Sequence, residues 1–120
     1  MKKTKSTNPE RIQLIRFLRK QGRENKAMIW IDVAKYLAKS RTGHTSVNLS
    51  GINRHTQKSD VVVVPGKVLG AGSINHPVIV AAFNASKKAR EKLRAAKAKY
   101  ISIPDLVRKN PKGSNVKIIR

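Results

Sequence analysis

Four consecutive valines, Val61-Val62-Val63-Val64, constrain the fold of this chain more than any other feature. Their β-branched side chains are stiff at χ1 and suit a packed, pleated surface, so the run predicts a strand. Pro65-Gly66 behind it is a turn signal and predicts the strand's end. Lys67-Val68-Leu69 predicts a short second piece, closed by a turn at Gly70-Ala71-Gly72-Ser73. Pro77-Val78-Ile79-Val80-Ala81-Ala82-Phe83 reads as another buried strand, and Val116 to Ile119, after a turn at Gly113, as the last.

Helical periodicity accounts for much of the rest. Asn8-Pro9-Glu10 combines an N-cap, a proline at the first helical position and an acid in the first turn. That helix is expected to stop at Gly22. At about 100° per residue, Leu14, Phe17 and Leu18 share one side with Ile12 and Ile15. Arg16, Arg19, Lys20 and Arg23 form a cationic stripe opposite. A second helix is expected over 26–39, with Trp30, Val33, Ala34 and Leu37 on one face and Asp32, Lys35 and Lys39 on the other. This stripe makes Trp30 a core residue rather than a base-stacking platform.

A third helix is expected from Asn84 or Ser86 to about Tyr100. Its narrow apolar stripe (Ala85, Ala89, Leu93, Ala96, Tyr100) is flanked by Lys87, Arg90, Arg94 and Lys97 on one side and by Lys88, Lys92 and Lys99 on the other. Ile103-Pro104-Asp105 opens a short fourth helix ending near Asn110-Pro111. Helices followed by strands interleaved with helices give a mixed α/β class built of small irregular units. Residues 8–120 read as a single domain. Residues 1–7, with Lys2, Lys3 and Lys5, read as a flexible basic arm.

The charge says what such a domain is for. The chain carries 27 Lys or Arg against 6 Asp or Glu, a formal net charge of +21 in 120 residues. Self-repulsion on that scale works against a compact state unless a polyanion neutralises it, and phosphate backbones are the commonest one. An anionic membrane would call for an amphipathic anchor or a lipidation site, and the sequence offers neither. No apolar run follows the basic start, as a signal peptide would require, so an intracellular, cytoplasmic protein is expected.

Catalysis is not expected. The chain has no cysteine, and its six acids are scattered, mostly at helix starts or beside a base. His44, His55 and His76 lack metal-ligand spacing. Lys67 after Gly66 is not a phosphate-cradling loop, because the upstream glycine and the following hydroxyl residue are missing. No metal, cofactor or small-molecule substrate is therefore expected. The stretch 41–58 is different in kind: a polar loop with a short strand near Val47 and Leu49. Arg41, Arg54 and Lys58 can fork or pair with phosphates, while Thr42, His44, Ser46, Asn48, Ser50, Asn53 and His55 can reach sugars and base edges. Lys67 joins this set. With two Phe and two Tyr, a binder of single strands by aromatic stacking is disfavoured, and structured RNA read by shape and backbone is favoured.

The runs Val47-Asn48-Leu49-Ser50-Gly51-Ile52-Asn53-Arg54 and Asp60-Val61-Val62-Val63-Val64-Pro65-Gly66-Lys67-Val68-Leu69-Gly70 resemble the ribosomal protein eighteen-e family, of the fifteen / eighteen-e superfamily, from archaeal and eukaryotic large subunits. The early Asn8-Pro9 helix, Ala85-Ser86 to Ala89-Arg90, and Asn110-Pro111-Lys112-Gly113 extend the likeness over essentially the whole chain. The resemblance implies an irregular β-β-α superhelical core, no catalysis, and a place on large-subunit ribosomal RNA among neighbouring ribosomal proteins. It implies RNA contact at Asn48, Ser50, Asn53 and Arg54, and the compact length looks archaeal. Two rival readings are a nucleoid or chromatin binder that prefers duplex DNA, and an RNA-processing enzyme. The second would need a clustered acid or histidine site.

Overall fold

The computed structural model of the chain describes residues 9–39 and 46–120. The valine run lies at the centre of a five-stranded parallel sheet. In chain order the elements are α1 (Pro9–Glu24), α2 (Met28–Lys39), β1 (Ser46–Asn48), α3 (Leu49–Arg54), β2 (Val61–Leu69), β3 (Ile79–Ala85), α4 (Lys87–Ala95), β4 (Lys99–Ser102), α5 (Ile103–Lys109) and β5 (Val116–Ile118). The sheet order is β1-β2-β3-β4, with β5 also on β2. The class is mixed α/β, and β2, β3 and α4 follow one another in the β-β-α order.

Four valines in a row make sense once both faces of β2 are covered, as parallel sheets require. Val62 and Val64 point into one core with Val80, Ala82, Leu49, Ile52 and Leu93, under α3 and α4. Val63 points into the other with Ala81, Leu18, Trp30, Leu37 and Leu106, under α1, α2 and α5. Trp30 is fully buried, as its helical stripe predicts. Its indole Nε1 donates to Pro111 O at 2.8 Å, which ties α2 to the turn before β5.

Pro65-Gly66 does not end the strand. β2 runs straight through it to Leu69, because the missing proline N–H falls where no ladder bond is needed. On one side the register with β3 shifts between Val64 and Lys67. On the other side β5 pairs with Val61–Val63 and β1 with Lys67–Leu69, leaving residues 64–66 between them. A bulge is one of the few places where a sheet tolerates proline.

Helix ends differ from expectation for one shared reason. α1 continues past Gly22 to Glu24, and Lys26 takes the left-handed conformation (φ 53°) beyond it. The Ala27 N–H bonds Gly22 O at 2.9 Å and the Lys26 N–H bonds Arg23 O at 3.4 Å, the paired bonds of a Schellman motif. Gly22 is instead a contact point: a Cβ there would lie 2.6 Å from Ile31 Cγ1 and 3.1 Å from Ala27 O. α4 ends in the same way. Lys97 (φ 61°) follows it, Ala98 N–H bonds Leu93 O at 2.9 Å, and Lys97 N–H bonds Arg94 O at 3.0 Å. The expected helix to Tyr100 therefore stops at Ala95, and Lys99–Ser102 becomes the edge strand β4.

The other caps follow the sequence. Ser86 Oγ accepts from the Ala89 N–H (3.1 Å) at the start of α4, and Ser102 Oγ from the Asp105 N–H (3.2 Å) at the start of α5. Buried Arg11 reaches across from α1 to α2, where its guanidinium donates from Nε to Leu37 O (3.0 Å) and again from the terminal nitrogen. It thereby supplies a donor to a last-turn carbonyl that the helix itself leaves unmet. Burial lowers its pKa from the usual value.

Candidate nucleic-acid interface

The expected polar loop around residues 46–55 is mostly helix. β1 is three residues long and pairs in parallel with the end of β2, Ser46 opposite Lys67 and Asn48 opposite Leu69. α3 then turns back through Leu49 and Ile52, both fully buried. Sequence reading missed α3 because only these two apolar residues mark its buried side.

The crossover from β2 to β3 packs directly on α3. Residues 70–78 carry no helix, which is short for a parallel connection, and they bury Ile74 and Val78 in the core beneath α3 and α4. The Ser50 N–H donates to Ala71 O (3.2 Å), and the Asn75 N–H donates to Asn53 Oδ1 (2.9 Å). Gly72 (φ +83°) lies so close to Ser50 that a Cβ would stand 2.5 Å from Ser50 Cβ. From α4, Lys92 Nζ donates to Gly70 O and Gly72 O, both at 2.7 Å. α3, the crossover and α4 thus form one braced frame over one face of the sheet, running from the carboxyl ends of β2 and β3, where Lys92 is anchored, back toward their amino ends, where α3 finishes.

The frame presents cations outward. Arg54, His55 and Lys58 are exposed around the end of α3, and Ser46, Asn48 and Lys67 are exposed at β1 and β2. Lys67 also pairs in register with exposed Asn84, so Ser46, Lys67 and Asn84 form a polar row across three strands. Because Val47 and Val68 beside them point into the core under α3 and α4, Ser46 and Lys67 face the other side of the sheet, off the frame itself. Asn48 occupies the N-cap of α3 without a side-chain cap bond. Lys87, Arg90, Arg94 and Lys97 are exposed along and just beyond α4. Two ion pairs occur among the described residues, Arg108–Asp105 (3.1 Å) and Lys117–Asp60 (2.9 Å), and neither takes any of these cations.

Several expected contacts fall elsewhere. Asn53 is half-buried and its carbonyl oxygen is engaged by Asn75, leaving its amide nitrogen for any outside partner. Ser50 is half-buried under the crossover. His55 donates from Nδ1 to Gly51 O at 2.8 Å, which turns Nε2 outward. Arg16, Arg19, Lys20 and Arg23 are exposed on α1, but α1 packs on the opposite face of the sheet, so they make a second basic surface rather than an extension of the first. Lys2, Lys3, Lys5, Arg41, Thr42 and His44, together with the Asn8 cap, lie outside the described residues. Lys92, grouped by sequence with the flanking lysines of α4, is the brace of the frame. No signal short of the fold would have separated it from Lys88.

Besides Arg11, two titratable groups among the described residues depart from their usual behaviour, Asp60 and Tyr100. The Gln57 backbone N–H and then Lys117 hold the Asp60 carboxyl below the ordinary carboxylate range. Burial pushes the Tyr100 phenol up. Among the described residues no group of three or more His, Asp or Glu is placed to hold a metal ion. No described helix is long and apolar enough to cross a membrane.

A family profile described as ribosomal protein 60S L18 and 50S L18e matches residues 1–120. The chain belongs to this family. It is 46% identical over 119 residues to the large ribosomal subunit protein eL18 of Methanococcus maripaludis, covering 99% of each chain. The eL18 protein of Pyrobaculum aerophilum is 46% identical over 116 residues, covering 97% of this chain and 95% of that one. That of Methanothermobacter thermautotrophicus is 42% identical over 119 residues, covering 99% and 98%. The family expected from the VNLSGINR and VVVVPGKVLG runs is the family found, and the two runs are now seen to build β1, α3 and β2, the strands and helix that carry the braced frame.

Proposed function

We propose that this chain is a structural protein of the large ribosomal subunit, working in the cytoplasm on the ribosome, and that it binds folded ribosomal RNA through the α3–crossover–α4 frame. The observation that carries the reading is a set of exposed, unpaired cations on a frame braced by its own hydrogen bonds. Arg54, Lys58, Lys87, Arg90 and Arg94 on the frame, with Lys67 near the end of β2 beside it, neutralise phosphates where RNA segments converge, and Asn48 and His55 Nε2 reach sugars or base edges. The protein's role is architectural rather than catalytic: it releases counterions and holds a tertiary arrangement of RNA among neighbouring ribosomal proteins.

If roughly 6–10 phosphates are contacted, affinity for a large-subunit RNA fragment falls by about 10³–10⁵ between about 50 and 200 mM salt. The deciding experiment is sedimentation of a cell lysate after a moderate-salt wash, joined to competition between ribosomal RNA fragments and duplex DNA. Stoichiometric comigration with the large subunit and preference for RNA are expected. Recovery with genomic DNA would replace this reading with a nucleoid one.

A further inference from the structure

A concave site lies on the other side of the sheet, on the surface formed by α1 and α2. Arg19, Asp32, Lys35, Tyr36, Ala38 and Lys39 line an open hollow of about 530 Å³. That is within the range of roughly 300–1,000 Å³ that accommodates a ligand of nucleotide size. Tyr36 is half-buried in its wall, and the Arg120 guanidinium lies 4.2 Å from the centre of its ring. Arg19, Lys35 and Lys39 are exposed, and none of them enters either ion pair seen among the described residues.

We propose that this hollow receives an unpaired RNA nucleotide, its base stacked at the Tyr36–Arg120 pair and its flanking phosphates held by Arg19, Lys35 and Lys39. The proposal rests on the RNA-binding reading above and extends it to a second, chemically different contact. A basic helix face suits a duplex backbone, whereas a hollow with an aromatic wall suits a base that has left its stack. The guanidinium strengthens this choice, because arginine stacks on π-surfaces as well as pairing with phosphate. Asp32, the one acid in the lining, can accept from an exocyclic amine or ring N–H and would repel an acidic peptide. Because α1 and α2 cover the face of the sheet opposite α3 and α4, a nucleotide held here makes the protein a bridge between two RNA segments.

The test uses the full chain with a short oligoadenylate and an abasic ribose-phosphate strand of equal length, titrated at moderate salt. The wild type is expected to prefer the base-bearing strand. Tyr36→Leu should lower affinity for oligoadenylate by about fivefold to a hundredfold, the range carried by base–aromatic stacking, and leave the abasic strand unchanged. Tyr36→Phe should retain the preference, and ultraviolet cross-links to oligoadenylate should map to the peptide containing Tyr36. Arg120→Gln, at an exposed position, repeats the measurement if Tyr36→Leu loses its thermal transition. An unchanged preference in Tyr36→Leu and in Arg120→Gln, or equal losses for both strands, overturns the proposal. Polyglutamate competing as well as oligoadenylate, with no dependence on Tyr36, overturns it in favour of an acidic partner. A wild type that binds neither strand nor large-subunit RNA removes the RNA reading itself, an outcome distinct from the others.

Discussion

His76 donates the hydrogen bond to Thr56. The Thr56 hydroxyl lies 2.8 Å from Ile52 O and 2.7 Å from His76 Nε2. A hydroxyl has one proton and a carbonyl can only accept, so that proton goes to Ile52 and Nε2 must carry its own. The pair fastens the crossover to the end of α3, beside the exposed Arg54 and His55.

Two consequences can be measured. Nitrogen-15 chemical shifts should show the Nε2–H tautomer of the neutral ring. Thr56→Val removes a buried hydroxyl and should cost about 1–3 kcal/mol in urea unfolding, whereas Thr56→Ser should cost little. A Nδ1–H tautomer would refute the assignment.

Lys97 occupies a backbone position that glycine would fill more easily. An L-residue in the left-handed region costs roughly 1–2 kcal/mol, and glycine gives back part of that through chain entropy. Lys97→Gly should therefore raise stability by about 0.5–1 kcal/mol, seen as a melting point a few degrees higher. The same change should weaken RNA binding and reduce the salt slope by about one if this lysine meets a phosphate. A gain in stability with no loss of binding would remove Lys97 from the interface.

Gly22 separates two roles for a helix glycine. If it were a stop, its replacement by alanine would lengthen α1 and be tolerated. Here alanine gains about 1 kcal/mol in helix propensity but drives a methyl into the Ile31 stem and the Ala27 carbonyl. Overpacking of this kind costs about 1–3 kcal/mol, so Gly22→Ala should be net destabilising in thermal melts.

The contrast marks how far sequence reaches. Apolar spacing in α1, α2 and β2–β3 reports burial directly, so the buried strands, the packing faces of α1 and α2, buried Trp30 and the exposed α1 and α4 cations were legible. Chain reversals made without glycine were not: Lys26 and Lys97 turn the chain through hydrogen-bond geometry that leaves no compositional mark. Pro65-Gly66 misleads for the opposite reason, since its turn chemistry is absorbed by a register shift against β3 and by the gap between β5 and β1 on the other edge of β2. Of the candidate site, the residue types around 46–58 could be read. Which of them brace the frame, as Asn53 does, depends on the crossover that folds over them.

Asp60 predicts an acid-side loss of stability. Its folded pKa is depressed, so its contribution is fully present above the unfolded carboxylate value of about 4 and is lost as pH falls through the lower folded value. The difference in stability between wild type and Asp60→Asn should be constant from neutral pH down to about 5 and close below about 4. A difference that persists undiminished in strong acid would mean that the Gln57 and Lys117 bonds are not the cause.

Arg54 is the most exposed test of the interface. It ends α3 beside the crossover, so its guanidinium is presented by a braced helix and loses little freedom on forking a phosphate. Lys2 lies far from that frame in sequence, in the basic start of the chain. Arg54→Ala should lower affinity for a large-subunit RNA fragment more than Lys2→Ala, by about tenfold or more if the contact is bidentate. Each variant should reduce the salt slope by no more than about one. Nitrocellulose filter binding at several salt concentrations separates the two quantities. Equal losses for both variants would mean that charge alone, and not its presentation by α3 and the crossover, determines binding.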